Sequence, residues 1–330
     1  MKIGLQFSQP AVDPDPQAYL RAYVSLVELA HRAGFQSFWA GQHFVPSDGY
    51  ALFQPFPLIA RLAAAAPGMT FGTSVMLLPM LNPLDVAEQV ATLDAITGGR
   101  FILGVGLGYR EAELRGAGIQ RAELVPRFEE SVEILKRLWS DDPGTFRGRH
   151  FAIDGVALSP RPVQRPRPTL LIGGEADAAV RRAGRISDGW VAAPRVSEPQ
   201  LSAKIGLFRE SAQAAGIQGT LALMRVFHVA ESRREADDAR ALALQHFGQK
   251  RAWGGERGLV DSGGSEDDVP ALESLIGTPD ECLAGIRRCL DAYHPDHLIL
   301  LMGFKGMHEA QLRASISLAG ETILPAIRTM

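Results

Sequence analysis

GGRFILGVGLGY (Gly98–Tyr109) carries three glycines at alternate positions, Gly104, Gly106 and Gly108, behind a short apolar run. The reading of these glycines decides the fold. A dinucleotide-binding turn needs G-x-G-x-x-G between a strand and a helix, so that the backbone can approach a pyrophosphate at the helix start. Counted from Gly104, the third glycine should stand at position 109, which is Tyr109; counted from Gly106, it should stand at 111, which is Glu111. The spacing rejects that turn. Read as a strand instead, the stretch puts all three glycines on one face.

Outward from this strand, short apolar runs alternate with amphipathic stretches of helical period. MKIGLQF (1–7) reads as a strand. The helix after it has Asp15 as N-cap, Pro16 in its first turn and Gly34 as its stop. Further strands are FQSFWAGQHF (35–44), MTFGTSVMLL (69–78), FILGVGLGY (101–109), TLLIGG (169–174), GWVAAP (189–194), LALMRVFHVA (221–230) and HLILLMGF (297–304). A helix follows each of them, with EADDARALALQHFGQK (235–250) assigned to the seventh unit. The strands are apolar almost throughout, as parallel strands buried on both faces are. Eight such units in 330 residues predict an α/β fold, a (β/α)8 TIM barrel forming a single domain over 1–330 with two insertions. A doubly wound sheet gives no reason for eight units. One insertion, 145–168, is rich in Pro and Arg and reads as a surface hairpin and loop; the other, 253–276, is rich in Gly and acids. In a barrel, glycines on the inner face near the top either leave room for a flat ligand or fit crowded neighbours.

Composition bounds the function. The net charge is −3 with both signs interspersed, so neither nucleic acid nor a membrane surface is an expected partner. The first residues turn polar too soon for a secretory signal, and no apolar run reaches the roughly 20 residues of a membrane span. The two cysteines, Cys282 and Cys289, lie seven apart in one predicted helix. That spacing separates them by about 10 Å, beyond disulfide reach. A cytoplasmic setting is expected.

Several residues carry candidate chemistry. Gly173 and Gly174 precede a helix beginning near Asp177, where bare N–H groups favour an anion; a plain strand-to-helix turn also uses glycine. His43 stands at the C-terminal end of a strand, where barrel enzymes keep reactive groups, and its imidazole is either a base or donor or a structural residue. Tyr109 tops the fourth strand, and Trp190 is a cavity wall or core. Metal catalysis is not expected: the first strand ends in FSQP (7–10) without ligands, and His294 and His297 precede the last strand, at the opposite face.

With the strands assigned, the motifs resemble those of the bacterial-luciferase-like flavin enzymes. FWAGQHF (38–44) is similar to that family's W-x-x-E-H-H stretch, and the segment from Gly72 to Tyr109 resembles its most recognisable block. LLIGGEADAAVRRAGRISDGW (170–190) and GTPDECLAGI (277–286) match later segments. The resemblance implies FMN, or alternatively the deazaflavin coenzyme F420, at the C-terminal face of the barrel. His43 matches the first histidine of the motif, near the reactive edge of the flavin. Gln42 replaces the acid and Phe44 the second histidine. Ser74 and Val75 match a pair commonly joined by a non-prolyl cis peptide behind the ring. Gly173, Gly174 and Glu175 match the turn that meets the phosphate. Gly106, Gly108, Tyr109 and Trp190 complete the expected cofactor-binding set. Where luciferase has an arginine as phosphate partner this chain has Leu107, and Arg110 is the candidate replacement.

The activity so implied is monooxygenation of a small, mostly apolar organic substrate by O2 and reduced FMN, which a separate flavin reductase supplies to a homodimer. The alternative is hydride transfer with F420, whose carboxylate-rich tail a basic track of Arg110, Arg115 and Arg121 would favour. A non-catalytic flavin-binding protein would not need His43 at a strand end. The segment 253–276 is expected to act as a lid, hinged at its glycine pairs, with Leu259, Val260 and Leu275 covering an apolar mouth, or else to be a surface insertion without a role.

Overall fold

Eight parallel strands close on themselves in the computed structural model, which describes residues 1–8, 15–44, 52–194, 196, 198–255 and 275–328. The ring runs β1 (Lys2–Phe7), β2 (Ser37–Ala40), β3 (Thr70–Thr73, resumed at Met76–Leu77), β4 (Phe101–Gly106), β5 (Thr169–Gly173), β6 (Gly189–Ala192), β7 (Thr220–Val226) and β8 (His297–Met302). β8 pairs with β1 to complete the (β/α)8 barrel. Beyond β1, the strands stop short of the ends of their apolar runs, because the residues past those ends belong to the loops of the C-terminal face.

The helices form where caps permit. Asp15 accepts hydrogen bonds from the N–H groups of Gln17 and Ala18 to start α1 (Pro16–Ala33), and Gly34, at φ 99°, ends it. α2 (Pro55–Ala65) and α3 (Pro83–Thr97) follow β2 and β3, and both begin on a proline, which suits a first turn. After β4 come a short α4 (Glu111–Ala117) and α5 (Leu124–Leu138). α6 (Asp177–Ile186) and α7 (Glu198–Ala214) follow β5 and β6.

Strand parity separates an inner from an outer layer. Phe7 packs outward on Tyr23 of α1 and on Phe38. Trp39 points inward, edge-on to His297 near the N-terminal end of the barrel, and a Cβ on Gly72 would come within 2.4 Å of its ring. Gly72 is therefore small for Trp39.

The insertion 145–168 contains the expected hairpin, Thr145–Arg147 against Ala152–Asp154. It is tied down: Glu130 of α5 accepts from the N–H groups of Arg149, His150 and Phe151, and buried Asp94 accepts from those of Val163 and Gln164.

The seventh unit differs from the sequence reading. Just beyond β7, His228–Val229 pairs in parallel with Ile276–Gly277, which leads straight into α9 (Pro279–Tyr293) and so to β8. The chain thus leaves and re-enters on the C-terminal side of the barrel. The helix assigned to the seventh unit, α8 (Arg233–Gly255), belongs to that excursion, and α9 is the helix that returns to the barrel. Of the expected lid, residues 256–274 lie outside the described residues. Its first three extend α8, so the glycine pair at 254–255 is helical backbone. Leu275 is fully buried and its carbonyl accepts from the N–H of His228, so it covers no mouth. The chain closes with α10 (Glu309–Leu318), a short π-helical turn and Leu324–Arg328. Cys282 and Cys289 are both buried and free on α9.

Candidate active site

The C-terminal face is shaped by an irregularity in β3. Phe71 and Gly72 pair with Phe101 and Ile102, but the next pairs are Met76 with Val105 and Leu77 with Gly106. Four steps along β3 oppose three along β4, which is a one-residue bulge. Within it Thr73 takes over the ladder: its hydroxyl donates to the Gly104 carbonyl at 2.7 Å and accepts from the Gly104 N–H at 2.9 Å. The Ser74–Val75 peptide in the bulge is cis, as the resemblance implies.

The glycine stripe acquires its meaning here, and it differs from the ligand reading. A Cβ on Gly104 would lie 2.0 Å from the Thr73 carbonyl oxygen. Cβ atoms on Gly106 and Gly173 would lie 2.7 Å from the two methyls of Val75, Cγ2 and Cγ1 respectively. The room these glycines leave is filled by the bulge of the neighbouring strand, so they act on any ligand only through Val75. Gly108 lies beyond β4 in the left-handed region, φ 78°, against Met80, and does not share their face.

The turn after β5 is built by close packing. A Cβ on Gly174 would come within 2.6 Å of the Ala179 side chain, so the glycine lets α6 begin directly over the turn. No side chain caps that helix; Glu175 and Ala176 lead into Asp177, whose carboxylate accepts from Lys204 Nζ of α7 at 2.8 Å. Lys204 holds the Asp177 carboxyl below its ordinary range. Trp190, expected as a cofactor contact, is wholly buried against Phe208 of α7 and is no cavity wall. The residue at that register faces the helices. Its indole N–H nevertheless reaches the Gly174 carbonyl at 2.9 Å, so it steadies the turn from behind.

His43 stands past the end of β2 with its side chain 21% exposed. Its Nδ1 lies 2.9 Å from Oε1 of Glu113 on α4, and that same oxygen accepts from the Phe44 N–H at 3.0 Å. The Glu113 side chain is fully buried, and its Oε2 has no hydrogen-bond partner among the described residues. With Nδ1–H donating to the carboxylate, Nε2 keeps its lone pair, and no protein group takes it among the described residues. The Tyr109 ring meets His43 edge-on at 6.1 Å.

Glu113 escaped the sequence reading. It and Glu111 are both acids in the first turn of α4, and only the fold sends Glu111 to Arg121 and Glu113 to His43. Those pairs also take Arg110 and Arg121 out of the expected basic track and leave Arg115 exposed. Arg110 is buried, with Nη1 3.6 Å from Glu113 and 3.4 Å from the Phe44 carbonyl, so it faces the His43 support and is not a free phosphate partner. Gln42 turns from His43 to the bulge: its N–H donates to the Val75 carbonyl, its Oε1 accepts from the Leu77 N–H at 2.9 Å, and its Nε2 donates to Gln54 at 2.8 Å. Ser74 likewise donates its hydroxyl to the Gln6 carboxamide oxygen.

The chain is similar to several known proteins. A family model described as luciferase-like monooxygenase matches residues 1–293. The chain is 29% identical to an F420-dependent glucose-6-phosphate dehydrogenase of Nakamurella multipartita over 92% of each chain. It is 31% identical to an FMNH2-dependent dimethylsulfone monooxygenase of Pseudomonas putida, over 58% of this chain and 53% of that one. Among solved structures, monooxygenase RslO1 from Streptomyces bottropensis superposes with a TM-score of 0.83 at 26% identity, covering 99% of this chain and all of that one. An F420-dependent secondary alcohol dehydrogenase gives 0.79 at 22% identity over 99% of each, a likeness of fold. No helix among the described residues is long and apolar enough to cross a membrane.

Proposed function

The chain belongs to the luciferase-like monooxygenase family, and from that premise we propose that it is an oxidoreductase using reduced FMN and O2 to oxygenate a small, mostly apolar organic substrate. The observation that carries the reading is the His43–Glu113 pair at the barrel mouth: a partly exposed imidazole whose inner nitrogen is held by a buried carboxylate. Barrel enzymes keep their reactive groups at this C-terminal face.

The residues present fit a flavin. The Gly173–Gly174 turn meets the uncapped start of α6, where backbone N–H groups suit a phosphate. Val75, half-buried and backed by the ends of β4 and β5, offers an apolar support for a flat ring. When bound, reduced FMN supplies the electrons that activate oxygen. His43 Nε2 takes a proton from, or once protonated donates one to, the reacting group, a contribution of about 10²–10⁴ in rate. Glu113 holds the ring in that tautomer and orientation. A separate reductase supplies the reduced flavin, and the protein works as a homodimer.

FMN is preferred to F420 because Arg110 and Arg121 are paired with Glu113 and Glu111, which leaves Arg115 alone of the expected basic track for a polycarboxylate tail. The similarity to the monooxygenase RslO1 over the whole chain supports oxygenation. Hydride transfer with F420 is the second reading, favoured by the likeness to the glucose-6-phosphate dehydrogenase across 92% of the chain. Titration of the purified protein with FMN, reduced FMN and F420, followed by fluorescence, separates the two. Tighter binding of the FMN forms is expected. Binding of F420 tenfold tighter than either would overturn the oxygenase reading in favour of hydride transfer.

A further inference from the structure

Gln6 lies near the C-terminal end of β1, and since Phe7 packs outward its neighbour points into the barrel. Its Oε1 accepts the hydroxyl proton of Ser74. β1 and β3 are not neighbours, because β2 runs between them. The contact therefore crosses the inside of the barrel mouth, over Gly41. A Cβ there would come within 3.1 Å of Gln6 Nε2 and 3.3 Å of the Ser74 carbonyl oxygen, so the missing side chain is what lets the carboxamide lie across the mouth.

That arrangement leaves a donor without an acceptor. A carboxamide has an acceptor oxygen and two N–H donors. Ser74 uses the oxygen; no protein acceptor takes the N–H groups among the described residues, and the side chain is half-buried at the mouth. Its register partners on either side, Trp39 and Leu301, are apolar. A donor fixed at the mouth with no protein acceptor is open to an oxygen of water or of a ligand that displaces it.

From this we infer that Gln6 is a substrate-binding residue whose Nε2 donates to the carbonyl oxygen of an uncharged substrate, with Ser74 as the positioning residue that fixes the amide. The acceptor belongs to the substrate and not to the flavin because Val75 presents its methyls toward Gly106 and Gly173, on β4 and β5, whereas Gln6 and Ser74 meet on the β1–β2 side of the bulge. A neutral amide N–H offers no charge to an anion, which suits an uncharged acceptor. The inference rests on the reading of the mouth as the active site and narrows its substrate to a small carbonyl compound.

Cyclohexanone and methylenecyclohexane, alike in shape and differing in one oxygen, are the probes. Their dissociation constants are measured by ligand-observed NMR on the FMN-loaded protein and on Gln6→Met and Gln6→Glu; the second keeps the acceptor for Ser74, loses the donors and adds a charge, while the first loses the donors without adding one. Both variants are expected to raise the cyclohexanone constant about tenfold, the cost of a donor left unmade, and to move that of methylenecyclohexane less than twofold. In the wild type the Gln6 side-chain amide resonance is expected to shift with cyclohexanone alone. Parallel changes for both probes, no change, or no cyclohexanone binding by the wild type would overturn the proposal. So would loss of FMN affinity in the variants with the probe ratio intact, since the donor would then serve the cofactor. If the wild type bound neither FMN nor F420, the proposed function would fail by itself, and the probe ratio would still be read on the free protein.

Discussion

Gly106→Ala tests the account of the glycine stripe. The new methyl would lie 2.7 Å from Val75 Cγ2. Carbon atoms pack at about 3.5–4.0 Å, so the pair overlaps by about 1 Å. Val75 has no direction of retreat, because its other methyl already fills the space a Cβ on Gly173 would need. Gly106 is held in register with Leu77 at the end of the ladder, so the strand resists moving too. Overpacking of this kind costs about 1–3 kcal/mol. Val75→Ala alone empties a half-buried position and costs about 1 kcal/mol. Together the two changes remove the overlap, so the double variant is expected to be no less stable than Val75→Ala, with a coupling of at least about 1 kcal/mol. Urea unfolding of the four proteins of the cycle, followed by circular dichroism, reads the coupling. Gly104→Ala is the control. Its Cβ meets a backbone carbonyl at 2.0 Å, which no side-chain truncation relieves, so it is expected to cost more than Gly106→Ala and to resist rescue by Val75→Ala. Additive effects in the cycle, or a Gly104→Ala no worse than Gly106→Ala, would refute the packing argument.

His43→Ala is expected to lower turnover by about 10²–10⁴ with flavin affinity near normal; unchanged turnover removes it from the mechanism. Glu113→Gln, which keeps the shape and removes the charge, is expected to lower kcat by about 10–100-fold with little change in KM, as loss of a charge-assisted hydrogen bond predicts, and equal effects on both constants would contradict an orienting role. Burial lowers His228 and His297 to about 4 each, so the unfolded chain binds more protons between pH 6.5 and 4. Stability is then expected to be level above pH 6.5 as far as these two are concerned, and to fall below it by up to about 1.4 kcal/mol per pH unit for each. Urea unfolding of His297→Gln at pH 7, 6 and 5 should show a shallower fall, and an unaltered slope would mean that the histidine does not drive it. Trp190→Phe keeps the packing on Phe208 but frees the Gly174 carbonyl, and is expected to weaken FMN binding several-fold at a stability cost of about 1 kcal/mol; unchanged affinity would detach that turn from the phosphate.

The barrel was legible because buried parallel strands write themselves as apolar runs, and caps such as Asp15 and Gly34 mark a helix by local chemistry alone. His43 was legible for a related reason: a polar, titratable residue stands out where an apolar strand ends. Glu113 was not. It differs from Glu111 only in the side of a short helix it occupies, and which side meets His43 is settled by how α4 docks on the loop after β2. Trp190 shows the same limit in a strand. An aromatic beside a predicted pocket looks like a wall, yet the period of two sends one residue inward and the next outward, and the register of β6 sends Trp190 to the helices. The seventh unit was misassigned because the strand pair that returns the excursion to the barrel is only two residues long on each side, too short for any periodic signal.

The bulge in β3 was hidden for a further reason, and it decides what faces the mouth. GTSVML (72–77) contains no glycine or proline at the irregular position, so it reads as an unbroken strand. Unbroken alternation from Gly72, whose face meets Trp39 inside the barrel, would send Ser74 and Met76 inward and Val75 outward. One extra residue shifts that frame. Met76 now opposes Val105 on the outward side, while Ser74 and Val75 both turn inward, the first to Gln6 and the second between Gly106 and Gly173. The glycines on β4 and β5 are the complement of that shift, since without them Val75 could not enter. The spacing of the glycines announced that something approaches the backbone closely. That it is a neighbouring strand, and that this strand carries Val75 and not Met76 to the ring side, follows only from the pairing of β3 with β4.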